Sequence, residues 1–310
     1  MYIYSSSAIS NQDSFDGTEF SENLVLIENQ KDLRHPIYKE YVAPMVLRRM
    51  GTITRMSVAC AFKCLQDANV ENPDAIIVGT GMGALADTQK FLNIEITVEN
   101  ALLPPTAFIG SGHNSMAGQI ALLLKNDNYN MTHVQQGLSF EHAVLDAMLN
   151  ITEGKKAVLT GAVDELTPVV TDLAKQFGLD TRVQNQLSQG AGFFLFGNDK
   201  SKAKVEVKAV SIRKSDSVSN AVAAFLNENE LDSNDISTGY IGYNLSLGTE
   251  ESFPFSTVCY TDYCGQHAAS SSFGMHLASI VLSTKEIGCN ILVININPNT
   301  EVGLTWLQRV

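Results

Sequence analysis

The stretch Asn128–His142 reads NYNMTHVQQGLSFEH and holds the spacing that nucleophilic chemistry would use. A short strand runs into a tight turn, and a helix is predicted from Leu138 to Ile151. A side chain on such a turn points at the positive end of the helix, where unpaired N–H groups and the macrodipole favour negative charge. A cysteine there would be acidified and reactive. The turn instead carries Gln135 and Gln136, and an amide is not a nucleophile. The layout of a thiol enzyme is present without the thiol.

The other residue types that could do chemistry are scattered. Cys60 and Cys64 share one face of a predicted helix, Thr54–Ala68, but no second ligand pair has matching spacing, so both read as small core residues. Gly79-Thr80-Gly81-Met82-Gly83 follows a buried strand, Ala75–Val78. Its third glycine falls one position early for a dinucleotide fingerprint, and no acidic residue closes a second strand at the usual distance. The stretch therefore reads as a turn needing close backbone approach. His133 stands beside the elbow in a strand, His113 precedes a helix, and His142 and His276 lie within helices. These four read as structural. Cys259 and Cys289 lie in apolar, strand-like contexts and read as core. Cys264-Gly265-Gln266-His267 forms a second turn before a helix.

The elements that must position these groups alternate. Strands are predicted at Tyr2–Ile9, Tyr129–Val134, Ala157–Thr160 and Gly190–Phe196. A second run has strands at Val205–Ile212, Gly239–Tyr243, Asn290–Ile296 and Val302–Leu307. Helices are predicted at Asn114–Leu124, Val218–Asn227 and Ser270–Ser283, with Asn114 or Ser115 as a cap of the first. Gly154 is a natural stop for the elbow helix. Asn11–Pro36 reads as a polar surface loop, and Pro104-Pro105 argues against regular helix over Leu102–Ile109. Strands alternating with helices imply βαβ crossovers and buried sheets. Two similar runs imply an internal duplication, with halves at 1–198 and 205–310 forming a single compact unit.

Composition bounds the function. The chain has 310 residues, 45% hydrophobic, with a formal net charge of −12. That length supports a substantial core, and the charge argues against a nucleic-acid partner. No run reaches the ~18 apolar residues of a membrane span, and the N-terminus lacks a signal-peptide pattern. Five cysteines without scaffold spacing are expected to be reduced. The expectation is a cytoplasmic protein without a membrane association.

In order along the chain, the motifs resemble the β-ketoacyl synthases of the thiolase superfamily. The resemblance is carried by Ile3–Ser10, Arg48-Arg49-Met50, Val78–Gly81, Asn114–Ile120 (NSMAGQI), Asn126–Tyr129, Thr160–Asp164 and Gln189–Gly192. It implies an α/β fold, a duplicated αβαβα five-layer sandwich with mixed sheets, and no cofactor or metal. Members of that family condense acyl units with a Cys nucleophile, two His and a Lys. Counting from Tyr129 places the Cys position on Gln135; counting back from Gly161 places it on Gln136. Gln135 is preferred. The first His position falls on Asn244, the second on Gln266 with His267 one further on, and the Lys position on Thr261. The flexible gate of the last hairpin is replaced by Asn295–Thr300.

Chain-length factors of aromatic polyketide systems resemble synthases but carry Gln at the nucleophile, and short relatives occur in aryl-polyene clusters. The resemblance is strongest to that group. It implies a subunit without its own nucleophile, paired with an active ketosynthase, served by an acyl carrier protein, and dimerised through the strand Tyr129–Val134. The alternative is an active 3-oxoacyl-[acyl-carrier-protein] synthase or malonyl-thioester decarboxylase with a displaced site at Cys264, His267 or His133. The acyl chain handled is not legible in the residues.

Overall fold

The computed structural model describes residues 1–28, 31–97, 105–242, 252–297 and 301–310. The first half runs β1 (Tyr2–Ile9), α1 (Pro44–Leu47), α2 (Thr52–Asp67), β2 (Ala75–Gly79), α3 (Leu85–Thr97), α4 (Pro105–Gly110) and α5 (Ser115–Leu124). It continues β3 (Tyr129–His133), α6 (Ser139–Thr152), β4 (Ala157–Asp164), α7 (Pro168–Gln176), α8 (Thr181–Gln186) and β5 (Gly190–Gly197). The second half runs β6 (Val205–Lys214), α9 (Val218–Glu228), β7 (Ile236–Gly242), β8 (Thr257–Cys259), α10 (Thr261–Cys264), α11 (Ser270–Ser283), β9 (Asn290–Asn297) and β10 (Glu301–Arg309).

The sheet order is β3-β2-β4-β5-β1-β6-β10-β9-β7-β8. β3, β2 and β4 are parallel, and β5 and β1 are antiparallel to their neighbours. β8, β7 and β9 are parallel in the same way, with β10 and β6 antiparallel. The second five strands thus repeat the order and directions of the first five, which establishes the duplication. The two sets join edge to edge where Tyr2 and Ile3 pair with Glu206 and Val205. α6 and α11 pack between them, touching strands of both sets, while α2 and α9 cover the outer faces. This is the layered α/β arrangement expected.

Burial explains the sequence patterns. β2 (AIIVG) is buried along its whole length, as a parallel strand covered on both faces must be. α2 carries the one-sided spacing Ile53, Met56, Cys60, Cys64 toward the sheet. α11 is buried nearly all round because sheets lie on both sides. Phe140 of α6, Phe194 and Phe196 join in one core cluster, where each buried ring contributes about 1.5–3 kcal/mol. α9 is capped by Ser217, whose hydroxyl accepts the Asn220 N–H at 3.3 Å. Gly154 follows α6 at φ 103°, the left-handed stop expected there.

Three expectations change. The polar stretch Asn11–Pro36 is not simply a surface loop. Gln12, Ser14, Phe15, Phe20 and Ile27 are buried, and Gln12 Nε2 donates to the Val25 and Tyr263 carbonyls at 2.7 and 2.9 Å. Its polar side chains hold it against the second half. Pro105 does not prevent a helix; it opens α4, in the first turn, where no intrahelical N–H partner is needed. Leu102–Pro104 lie outside the described residues. Asn114 precedes α5 but makes no capping bond; it donates to Asn130 Oδ1 at 3.1 Å.

Candidate active-site elbow and its cavity

The elbow joins β3 to α6. Gln135 has φ −130°, and Gln136 has φ +52°, a left-handed conformation that L-residues adopt rarely. Ser139, the first residue of α6, holds the turn. Its Oγ accepts the Gln135 N–H at 2.8 Å and gives its own hydrogen to the carbonyl of Thr80 or Gln136, 2.9 and 2.7 Å away. Gly137 lies close under Asn297, so that a Cβ there would fall 2.5 Å from Asn297 Oδ1 and displace that side chain.

The glycine-rich turn after β2 supports this elbow. Asp164, at the end of β4, accepts the N–H groups of Gly81 and Met82 at 2.9 and 3.0 Å and the Thr80 hydroxyl at 3.0 Å. The turn's N–H groups are therefore taken by the chain's own carboxylate and not presented to a phosphate. Gly81 packs against Ala268 of the second half so closely that a Cβ would fall 2.2 Å from the alanine methyl. Burial pushes the Asp164 carboxyl up to about 6, against the opposing pull of those hydrogen bonds.

The second half contributes the facing turn. Gly265 has φ +73°. Gln266 is fixed by its N–H to the Gln186 carbonyl at 2.7 Å and by Nε2 to Gln186 Oε1 at 3.2 Å. Desolvation pushes the His267 imidazole down to about 3, so it is neutral, and its buried Nδ1 has no hydrogen-bond partner among the described residues. From β9, Asn295 Nδ2 donates to the Gly137 carbonyl at 2.7 Å and to Glu141 Oε1 at 2.9 Å. Between the two turns lies an open cavity of about 290 Å³. Gln136, Thr261, Gln266, His267, Ser270, Asn295 and Asn297 supply its polar lining.

The structure thus brings together four residues of the sequence reading: Gln136, Thr261, Gln266 and His267. Gln135 is exposed and does not line the cavity. Asn244 lies outside the described residues. Cys264 is buried, its thiol pushed well up by desolvation and directed at the Gly265 carbonyl, so it supplies no thiolate. His133 bonds Asp146 Oδ2 at 2.8 Å on α6 and stacks on His142, away from the cavity. His276 is held by Ser6 Oγ at 2.9 Å and the Ser14 carbonyl at 3.0 Å. His113 packs on Gly83. Cys60 and Cys64 are buried in the core, both thiols raised by desolvation; Cys259 meets Thr261 Oγ1, and Cys289 donates to Ser237 Oγ. Among the described residues no group of three or more His, Cys, Asp or Glu could hold a metal, and no helix is long and apolar enough to cross a membrane.

The sequence reading missed Glu141. It is buried in α6 beneath Asn295, with room made by Gly303, where a Cβ would lie 2.6 Å from Glu141 Cγ. Desolvation raises its carboxyl to about 7, with the Asn295 hydrogen bond opposing. The folded protein therefore takes up a proton that the unfolded chain lacks between pH 4.5 and about 7, and stability falls as pH rises through that window. Glu141→Gln keeps an acceptor for Asn295 and removes the charge. Thermal melts should show the variant a few degrees more stable at pH 8, a gain bounded at about 3 kcal/mol, and no more stable at pH 5. Asp164 titrates in both proteins and cancels from the difference. Equal melting temperatures at both pH values would contradict a buried, titrating Glu141.

Comparisons with known proteins agree with this architecture. Residues 24–235 match the sequence profile of the β-ketoacyl synthase N-terminal domain. No curated protein matches the chain. Among solved structures, the ishigamide ketosynthase/chain length factor superposes with a TM-score of 0.81 at 16% identity, over 100% of this chain and 99% of that one. A β-ketoacyl synthase from Burkholderia phymatum gives 0.74 at 12% identity, over 100% and 99%. The ketosynthase ApeO in complex with its chain length factor ApeC, from Xenorhabdus doucetiae, gives 0.62 at 15% identity, over 99% and 98%. At these identities the structural likeness speaks for the fold.

Proposed function

Because the chain belongs to the β-ketoacyl synthase family, we propose that it is a ketosynthase-like subunit that has lost the nucleophile and acts as the chain-length-factor-like partner of an active ketosynthase. The observation that carries this reading is the elbow. Its left-handed position, open to the cavity, presents the amide of Gln136. Condensation needs a thiolate to take the acyl chain and then donors for the developing oxyanion. An amide can donate a hydrogen bond but cannot form the thioester. In this reading Gln136, not Gln135, stands where the family carries its Cys, since Gln136 is the one that lines the cavity. Thr261 and Gln266 stand at the family's Lys and second His positions.

The partner is an active ketosynthase, the acyl groups arrive on an acyl carrier protein, and the setting is fatty-acid- or polyketide-type synthesis of the aryl-polyene kind. Two of the similar structures are, by description, a ketosynthase with a chain length factor. Docking runs through β3, which pairs with β2 on one side only among the described residues. The alternative of a displaced active site has His267 in the cavity lining but no nucleophile beside it: Cys264 is a buried thiol, and His133 is turned away.

The purified chain, incubated with acyl-carrier-protein thioesters, is expected to keep its mass unchanged. Intact-protein mass spectrometry checks this. A stoichiometric acyl adduct on Cys264 would sink the non-catalytic reading.

A further inference from the structure

The hydrogen-bond directions around the cavity select a ligand class. Asn295 commits both N–H groups, to the Gly137 carbonyl and to Glu141, so only its carbonyl oxygen is left for the cavity. Gln266 gives one Nε2–H to Gln186, which leaves its amide oxygen and its second N–H. His267 is neutral and its Nδ1 is unpartnered among the described residues. Gln136 makes no side-chain hydrogen bond among the described residues, so its amide is free both to donate and to accept. No Lys, Arg, Asp or Glu appears among the described lining residues.

We infer that the cavity binds a small neutral carboxamide, whose N–H groups are accepted by Asn295 Oδ1 and Gln266 Oε1 and whose carbonyl oxygen is met by Gln136 Nε2. A carboxylate would face amide oxygens with no cation to offset its desolvation. An ammonium would give up its water without a carboxylate in the lining, and Glu141 behind Asn295 is held toward its neutral form. A carboxamide supplies N–H donors to those two acceptors and an oxygen to the amide of Gln136, each hydrogen bond contributing about 0.5–1.5 kcal/mol net. The volume, about 290 Å³, lies near the small end of ligand sites and limits the occupant to roughly ten heavy atoms or the tip of a longer chain. This inference rests on the reading that Gln136 is a binding group and not a misplaced catalyst.

The test uses the intact chain and three nearly isosteric probes: propionamide, propionate and propylamine. Side-chain NH2 resonances of Gln136 and Asn295, assigned by substitution, report binding in titrations at matched ionic strength. Propionamide is expected to shift both in a saturable way. Propionate and propylamine are each expected to bind about fivefold or more weakly, the equivalent of one lost hydrogen bond. Gln136→Leu should weaken propionamide by a similar factor and Gln136→Asn by less. Propionate or propylamine binding as well as propionamide, no saturable propionamide shift, or unchanged affinity in Gln136→Leu would each overturn the assignment. If Gln136→Leu fails to fold, the ranking of the three probes on the wild-type chain decides alone. An acyl adduct in the mass experiment would end the non-catalytic reading, whereas the probe ranking tests the cavity's ligand class separately.

Discussion

Gln136→Cys is expected to leave carbon–carbon bond formation undetectable. The substitution puts a thiol on the left-handed turn at the start of α6, where helix N–H groups lower a thiol pKa. Alkylation, and even acyl loading, is therefore compatible with the proposal. Condensation needs more. The carbonyl of the extender unit must meet donors as charge develops on it, and each such donor is worth about 10²–10³ in rate. Thr261 offers a hydroxyl already engaged with Cys259, and Gln266 offers a neutral amide with one of its two N–H groups turned to Gln186. His267 is pushed down to about 3, so at neutral pH it is a neutral imidazole with one N–H to donate and no acidic proton to transfer. With Thr261 and Gln266 at the proposed donor positions, the rate should fall about 10⁴-fold or more below an ordinary synthase. Product analysis after incubation with acyl and malonyl carrier-protein thioesters measures this. Turnover within about tenfold of a working synthase would show that the cavity is catalytically competent.

The reason that Gln135 and Gln136 could not be separated in the sequence is geometric. Counting from the strand and counting from the next strand differ by one, and at a turn one residue swings the side chain to another direction. Only the sign of φ at Gln136 decides which amide meets the cavity. Regular elements were more legible, because their patterns are local. Tyr2–Ile9 and Ser270–Ser283 have the bounds that their apolar runs suggest. The buried polar groups were not legible. Glu141 in a helix reads as a solvent-facing acid until Asn295 and Gly303, far along the chain, are placed over it. Asp164 falls past the predicted end of its strand at Thr160, and only its bonds to Gly81 and Met82 show why the glycine-rich turn exists. Gln12 bonds a carbonyl in the second half, which no polar-loop pattern reveals. Patterns of burial follow from neighbours in sequence; polar pairing across the duplicated halves does not.

Thr132→Pro is expected to abolish assembly while leaving the fold intact, because of the direction in which β3 presents its backbone. The His133 carbonyl accepts the Thr80 N–H at 3.0 Å, on the side of β2. Since N–H and C=O groups of one residue share a side of a strand and alternate along it, Tyr129, Met131 and His133 bond inward. Asn130 and Thr132 then direct their backbone groups to the open edge. Tyr129, Met131 and Val134 are 36%, 39% and 40% exposed there, an apolar rim on an uncovered strand. Such edges are normally shielded, and a family-type dimer would shield this one. Proline removes the outward N–H of Thr132 and spares the ladder to β2, a placement that edge strands tolerate. The thermal midpoint should move by only a few degrees, while the mass in solution falls to that of a monomer, alone or with a co-expressed synthase. Obligate interfaces commonly bury more than about 2,000 Å², so partial weakening at one central donor is expected to read as full dissociation at dilute concentration. His133→Ala is the control. It removes the 2.8 Å bond to Asp146 and costs about 0.5–1.5 kcal/mol of stability, yet it keeps the outward ladder and should still assemble. A wild-type chain that is monomeric with and without the synthase, or a Thr132→Pro variant that assembles as the wild type does, would remove the edge of β3 from the proposed assembly.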